Sequence, residues 1–367
     1  MTEQPKVIIR CLVYNHEPYL RDCLEGFVMQ KTNFPFKAVV HDDCSTDGSA
    51  AIILEYAEKY PHIIEPIYET ENQYSKRDGS LRRVMDAASL GRSPYIAYCE
   101  GDDYWIDPFK LQKQVDYMDA HPECTLIATH AKILFQDEFL DEKEIKQMGW
   151  WMEDKSRSVS IEEVIETAAA KLHTCTVMCR NNILARMPKY TVGCCVGDYP
   201  LQIFAALQGE VYYLKDTTAV YRYQALNSWT LKNKQNEGRS TDKSLKSWYT
   251  LVSMLEGMNH YSQRKYEGYF RKMEVQCIMW RLIKNRQLVH NVLENKNYRR
   301  IFFSYYHKKE YDMLNMNKTK LFLLKLRYYP FYPLCRSWNM IVREMSLFTR
   351  VLFAFKYLFS FRKYKCK

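Results

Sequence analysis

No uninterrupted apolar run reaches the roughly 18–20 residues that a membrane-crossing helix needs, so the sequence predicts no transmembrane span. The opening MTEQPKVIIR has no long apolar stretch before a cleavage site, which argues against a secretory signal. The 12 cysteines are scattered through apolar segments, and neither Cys175 with Cys179 nor the Cys194–Cys195 pair belongs to four ligands at a zinc-site spacing. Together these absences predict a reduced, cytosolic setting in which thiols act as small core residues. Internal repeats and low-complexity linkers are missing too, so a domain boundary has to be drawn from charge and composition.

What is present is a chain of 367 residues, longer than one average domain, with 47% hydrophobic residues and therefore material for a large core. Its net charge of +10 conceals two unlike halves. Residues 1–229 hold 24 Lys and Arg against 34 Asp and Glu, a net −10, whereas 230–367 hold 29 against 9, a net +20. A boundary near 230 follows, with a basic C-terminal part suited to an anionic partner. Nucleic acid is the weaker choice of partner, because no recognition motif accompanies the charge and the acidic half would repel a phosphate backbone.

The apolar run Val7–Val13 ends at Tyr14-Asn15-His16-Glu17-Pro18, as a buried strand does where it enters a loop. Helical periodicity over Tyr19–Gln30 is followed by a second run, Phe36–Val40, and a second helix, Ala50–Tyr60. This β-α-β-α order predicts a parallel sheet whose ligand sits at the carboxyl ends of the strands. Further strands are expected at Pro66–Tyr68, Tyr95–Cys99, Thr125–Ile133 and Cys175–Cys179, with helices at Leu81–Ser89, Ile161–Ala170 and Pro200–Leu207. Helical patterns dominate from about residue 243 onward.

Two of these strands run into acidic loops, His41-Asp42-Asp43-Cys44-Ser45-Thr46-Asp47-Gly48-Ser49 and Glu100-Gly101-Asp102-Asp103. Paired carboxylates on one sheet edge suit a hard divalent cation, Mg²⁺ or Mn²⁺, and a nucleotide diphosphate is the natural companion of such an ion. A nucleotidyltransferase would also use metal-binding acids, but it would need a Gly-rich phosphate loop where this chain has Tyr14-Asn15-His16-Glu17.

Val13-Tyr14-Asn15 and the two acidic loops, at these intervals, make residues 5–229 resemble the family 2 inverting glycosyltransferases of the bacterial surface-polysaccharide type, which have the GT-A fold. The resemblance implies an α/β fold with a mostly parallel, Rossmann-like mixed sheet flanked by helices, and a nucleotide-diphosphate sugar as donor. It assigns Tyr14 and Asp43 to the nucleobase, Asp102 to the ribose, and Asp103 to a cation bridging the diphosphate. Glu100 stands where relatives more often carry Asp. Val196-Gly197-Asp198-Tyr199-Pro200-Leu201 resembles the segment of the catalytic base, so Asp198 becomes the group that deprotonates the acceptor hydroxyl. A second reading of Asp198 is helix N-capping ahead of Pro200, and both can hold at once. Ala219-Val220-Tyr221-Arg222-Tyr223-Gln224 resembles the flexible segment that closes over the diphosphate, with Arg222 facing phosphate and Gln224 standing where relatives have a metal-binding histidine. His173-Thr174-Cys175-Thr176 falls where acceptor-side residues are expected, and Trp105, Trp150 and Trp151 are either core residues or sugar platforms. A non-catalytic nucleotide- or carbohydrate-binding protein on a transferase scaffold is the alternative, kept open by Gln224 and opposed by the intact Asp102, Asp103 and Asp198.

Residues 314–367 carry 12 Lys and Arg against the single acid Glu344, interleaved with Leu321-Phe322-Leu323-Leu324 and Tyr328-Tyr329-Pro330-Phe331-Tyr332. That pattern describes a segment lying in an anionic membrane interface, the alternative being a packing helix with a basic outer side. The expected location is cytoplasmic, peripheral at the inner face of the membrane, with a glycan or lipid-linked acceptor.

Overall fold

The structure is a computed structural model that describes residues 4–76, 78–147, 154–167, 172–228, 230–232 and 242–284. Trp150, Trp151 and the basic segment 314–367 lie outside these residues. Residues 1–288 form one compact unit, to which every described residue belongs.

The strands are β1 (Val7–Val13), β2 (Phe36–Asp42), β3 (Ile64–Tyr68), β4 (Tyr95–Tyr98), β5 (Tyr104–Trp105), β6 (Cys124–Phe135), β7 (Glu138–Phe139), β8 (Arg157–Val159), β9 (Met178–Arg180) and β10 (Glu210–Arg222). Among them run α1 (Glu17–Val28), α2 (Ser49–Lys59), α3 (Gln73–Lys76), α4 (Ser80–Ser89), α5 (Lys110–Ala120), α6 (Glu142–Gln147), α7 (Ile161–Thr167), α8 (Asn181–Ala185) and α9 (Asp198–Gln208), followed by α10 (Asp242–Tyr261) and α11 (Glu267–Lys284).

All the strands join one sheet, in the order β3-β2-β1-β4-β9-β6-β10-β5, with β7 on β6 and β8 on β10. The pairs β1/β2, β1/β4, β2/β3 and β6/β10 are parallel, while β9 runs antiparallel to both β4 and β6. This is the mixed, mostly parallel sheet the sequence predicts. Central β1 has both faces covered, so Val7, Ile8, Ile9 and Cys11 are fully buried and its sequence reads as a continuous apolar run. Arg10 interrupts that run, and its guanidinium is satisfied beneath α4 by Ser89 Oγ (2.8 Å) and Asp86 (2.8 Å). Pro66 is tolerated because β3 lies at the sheet edge.

One core lies between the sheet and α1, α2 and α5, where Leu20, Cys23, Leu24 and Phe27 recur at helical spacing against Ile53, Leu111 and Val115. The opposite core joins α4, α7, α8 and α9 to α10 and α11, through Met85, Val164, Phe204, Met254, Met258 and Phe270. The helices that follow the compositional boundary thus pack on α9 and α7, in the core on this face of the sheet.

Two segments differ from expectation. Cys175–Cys179 is not one strand: Thr174–Thr176 forms a 3-10 turn and only Met178–Arg180 pairs as β9. The carbonyls of Cys175 and Thr176 are engaged by side chains from β5 and α5, so they do not join a ladder. Ala219–Arg222, read as part of a flexible segment, is the end of β10 and pairs with both β6 and β5. Its register shifts between Leu214 and Ala219 obscure the strand in the sequence.

Candidate active site

Because β1, β2 and β4 are parallel, Tyr14-Asn15, Asp42-Asp43 and Glu100–Asp103 all emerge at one sheet edge. The loops after β1 and β2 are fastened together. Asn15 N–H donates to Ser45 Oγ (2.9 Å), Thr46 N–H to Asn15 Oδ1 (2.7 Å), Glu17 N–H to Asp47 Oδ2 (3.0 Å) and Gly48 N–H to Glu17 Oε2 (2.8 Å). Asn15 adopts φ 57°, a left-handed conformation that asparagine tolerates better than most residues.

Asp43 is 4% exposed, and its two carboxylate oxygens accept the N–H groups of Gln73 (2.6 Å) and Tyr74 (3.0 Å) at the start of α3. Any ligand contact must therefore use its remaining lone pairs. The segment after β10 lies over the β1 loop: Asn227 Nδ2 donates to the Asn15 carbonyl (3.2 Å), Leu226 N–H to Tyr19 Oη (3.0 Å), and Lys232 Nζ sits 5.4 Å from the Tyr14 ring centroid.

After β4 the chain passes close to His16, where a Cβ on Gly101 would come within 2.8 Å of the His16 Nδ1, so any larger residue would force the imidazole to move. Glu100, Asp102 and Asp103 then each offer a carboxylate oxygen within 4.8 Å of the others. Asp103 is 1% exposed; its Oδ1 accepts the Arg222 N–H (2.8 Å), and its buried Oδ2 makes no hydrogen bond. Burial, and then the charge of Asp102, push Asp103 well above the usual carboxylate range, and burial with Asp102 and Asp198 pushes Glu100 up to about 8. A buried, unpaired oxygen among mutually repelling carboxylates is a cost that a hard divalent cation removes, so these residues fit Mg²⁺ or Mn²⁺.

Arg222 is held behind this loop. Its guanidinium lies 4.4 Å from the Tyr104 ring centroid and 5.0 Å from that of Tyr19, donates to the Asp102 carbonyl (2.9 Å) and pairs with Asp22. Gln224 has φ 59°, and its N–H donates to Thr230 Oγ1 (3.2 Å).

Asp198 is the first residue of α9, with Gly197 as the N-cap. Its Oδ1 accepts the Tyr199 N–H (2.8 Å) and its Oδ2 the Thr174 hydroxyl (3.4 Å), while burial raises its affinity for a proton. Through Thr174, whose turn packs on β4, Asp198 is tied to the strand that leads into the acidic loop, and its charge adds to the upward shift of Glu100. Gly197, not Asp198, holds the N-cap position, so the capping expectation is corrected: Asp198 is the first residue inside the helix and takes the next N–H, a placement compatible with proton acceptance.

Trp105 belongs to the core: it is 2% exposed, meets Phe27 edge-on with centroids 5.0 Å apart, and donates to the Cys175 carbonyl (2.7 Å). That burial removes it as a sugar platform. His173 stacks on Tyr221 (4.6 Å), and burial, with His130 nearby, lowers it to about 4, so it is neutral near pH 7. Thr174 was legible only as a member of its segment; its contact with Asp198 depends on a fold-back that no local pattern encodes.

Comparison with known proteins agrees with this geometry. Residues 9–178 match the model of Glycosyl transferase family 2, and this part of the chain belongs to that family. An uncharacterized protein of Mycobacterium tuberculosis is 36% identical over 219 residues, which cover 59% of this chain and 58% of that protein. The chain thus spans less than two thirds of that relative. A poly(ribitol-phosphate) beta-glucosyltransferase of Bacillus spizizenii is 33% identical over 100 residues, 27% of this chain and 15% of that one. In three dimensions the chain is similar to a mannosyltransferase of Pyrobaculum calidifontis solved with GDP-Man and Mn²⁺, with TM-score 0.50, 13% identity, and coverage of 89% and 88%. This last likeness concerns the fold.

Proposed function

We propose that the protein is an inverting glycosyltransferase that moves a sugar from a nucleotide-diphosphate donor to a hydroxyl of a glycan or lipid-linked acceptor, in a metal-assisted single displacement. The observation that carries the reading is the cluster of Glu100, Asp102 and Asp103 at the carboxyl end of β4, with Asp198 tied to the Thr174–Thr176 turn that packs on the same strand. Asp103, with Asp102 beside it, would hold Mg²⁺ or Mn²⁺, which when bound stabilises charge on the departing diphosphate. In this reading Tyr14 and Asp43, on the fastened loops, take the nucleobase and Asp102 the ribose, while Arg222 would have to leave Asp22 and the Asp102 carbonyl to reach the diphosphate. Asp198 accepts the proton of the acceptor hydroxyl as that oxygen attacks, and its buried setting favours proton uptake. Attack from the face opposite the diphosphate inverts the anomeric centre.

Similarity to a poly(ribitol-phosphate) glucosyltransferase supports a polymeric or lipid-carried acceptor. Among the described residues no helix is long and apolar enough to cross a membrane. The basic 314–367 segment is our candidate for peripheral contact with an anionic membrane from the cytoplasmic side. The direct test is a thermal-shift screen of UDP, GDP and their sugars with and without Mn²⁺, followed by NMR of the transfer product. Metal-dependent stabilisation by one nucleotide and inversion at the anomeric carbon are expected. Retained configuration would overturn the mechanism, and the absence of stabilisation by any nucleotide would overturn the donor class.

A further inference from the structure

Lys110 is fully buried at the start of α5 without a carboxylate partner: the adjacent Asp107 carboxylate pairs instead with Lys113 (2.9 Å). Lys110 Nζ donates to Gln114 Oε1 (2.6 Å) and to the Thr176 carbonyl (3.3 Å), and lies 4.5 Å from the Trp105 ring centroid. Gln114 turns its oxygen to the amine, which donates to it, and gives its Nε2–H to the Thr176 carbonyl (2.8 Å). Trp105 Nε1–H takes the neighbouring Cys175 carbonyl (2.7 Å). Three buried side chains therefore grip two successive carbonyls of the Thr174–Thr176 turn from below. An apolar side chain at position 110 would fill the space without the cost of a buried amine, so packing alone does not account for the lysine.

From above, the same turn faces the proposed chemistry through consecutive residues. The Thr174 hydroxyl donates to Asp198 Oδ2 (3.4 Å), and the turn packs on β4, which leads into the Glu100–Asp103 loop; burial, and then the charge of Asp103, push the Cys175 thiol up. We propose that Lys110, with Gln114 and Trp105, is a positioning device that fixes the Thr174–Thr176 turn and so sets where Asp198 stands relative to Asp103. The proposal rests on the glycosyltransferase reading for its kinetic consequence. None of the three side chains touches substrate, and each acts through the turn.

The test uses the full chain and Lys110→Met, which keeps length and apolar bulk but removes the donor. Amide exchange of residues 174–177 is followed by mass spectrometry with and without Mn²⁺ and UDP. In parallel, UDP-glucose, UDP-N-acetylglucosamine and GDP-mannose are screened for Mn²⁺-dependent release of nucleotide diphosphate. Exchange in the turn should accelerate about tenfold or more with little change elsewhere, while kcat falls about tenfold or more and KM for the nucleotide sugar stays within about twofold. Trp105→Phe removes the indole N–H together with part of the ring while keeping an aromatic in the core, and it should move both readouts the same way by a smaller factor, which keeps the test available if Lys110→Met does not fold. Unchanged exchange at 174–177 overturns the positioning role whether or not a donor is found. So does parental kcat in a variant whose turn has loosened. A parent that binds no nucleotide overturns the glycosyltransferase reading, while the exchange experiment still decides the role of Lys110.

Discussion

Asp103 combines 1% exposure, a hydrogen bond on one oxygen and none on the other. Its proton affinity is raised by burial, so in the absence of metal the ionised form costs stability, and that cost accumulates as pH climbs from the ordinary carboxylate range. Asp103→Asn should therefore melt at or above the parent in EDTA at pH 7, with the difference shrinking toward pH 4. It should also lose Mn²⁺-dependent stabilisation by nucleotide and about three orders of magnitude in turnover. Calorimetry in EDTA and in Mn²⁺ checks both signs. For Lys110 the sign is opposite: burial lowers it to about 7, against only modest support from Cys99, Cys175 and Asp107. The folding cost of its charge is complete below pH 7 and is relieved as pH rises through the folded value toward the ordinary lysine range. The melting temperature of Lys110→Met relative to the parent should be most favourable near pH 6 and become less so by pH 10. A difference independent of pH would mean that the amine keeps its ordinary affinity for protons.

The elements that were legible in the sequence are those whose pattern is local. Val7–Val13 and Phe36–Val40 read as buried strands because both faces of β1 and β2 are covered, and the acidic loops after Phe36–Val40 and Tyr95–Cys99 were placed together because both strands were read into one parallel sheet. The Thr174–Thr176 turn was not legible, since Trp105, Lys110 and Gln114, which hold its carbonyls, lie more than sixty positions away along the chain. The end of β10 was hidden for a related reason: Lys215-Asp216-Thr217 sits at a register shift, so strict alternation fails there. Helix α9 starts at Asp198, whose Oδ1 holds the Tyr199 N–H. Asp198→Asn keeps an acceptor for that N–H and should leave the helix and nucleotide affinity nearly intact, while transfer collapses because the amide takes up no proton. Parallel titration calorimetry and turnover assays separate the two effects. Helix α1 offers a purely structural check, because a Cβ on Gly26 would lie 2.9 Å from the backbone nitrogen of Trp105. Gly26→Ala should destabilise the protein by about 1–3 kcal/mol through this overlap, read as a lower denaturation midpoint with an unchanged slope.

At the scale of the whole molecule, the acidic 1–229 and basic 230–367 halves differ by 30 charges in opposite senses, −10 against +20. If the basic part meets anionic lipid, the full chain should sediment with vesicles containing phosphatidylglycerol, release them between about 0.1 and 0.5 M salt, and lose this on truncation at residue 314. Equal binding to neutral vesicles would contradict the electrostatic component.

If the β1 and β2 loops hold the donor's base as proposed, the hydrogen bonds that fasten them together also limit how donor preference can be re-engineered. Asn15 needs Ser45 and Thr46, and Glu17 needs Asp47 and Gly48, so each loop supplies the other's backbone with partners. Transplanting one loop from a relative would leave the resident loop with unanswered donors, whereas exchanging both as a cassette would carry the interlock along with the new preference.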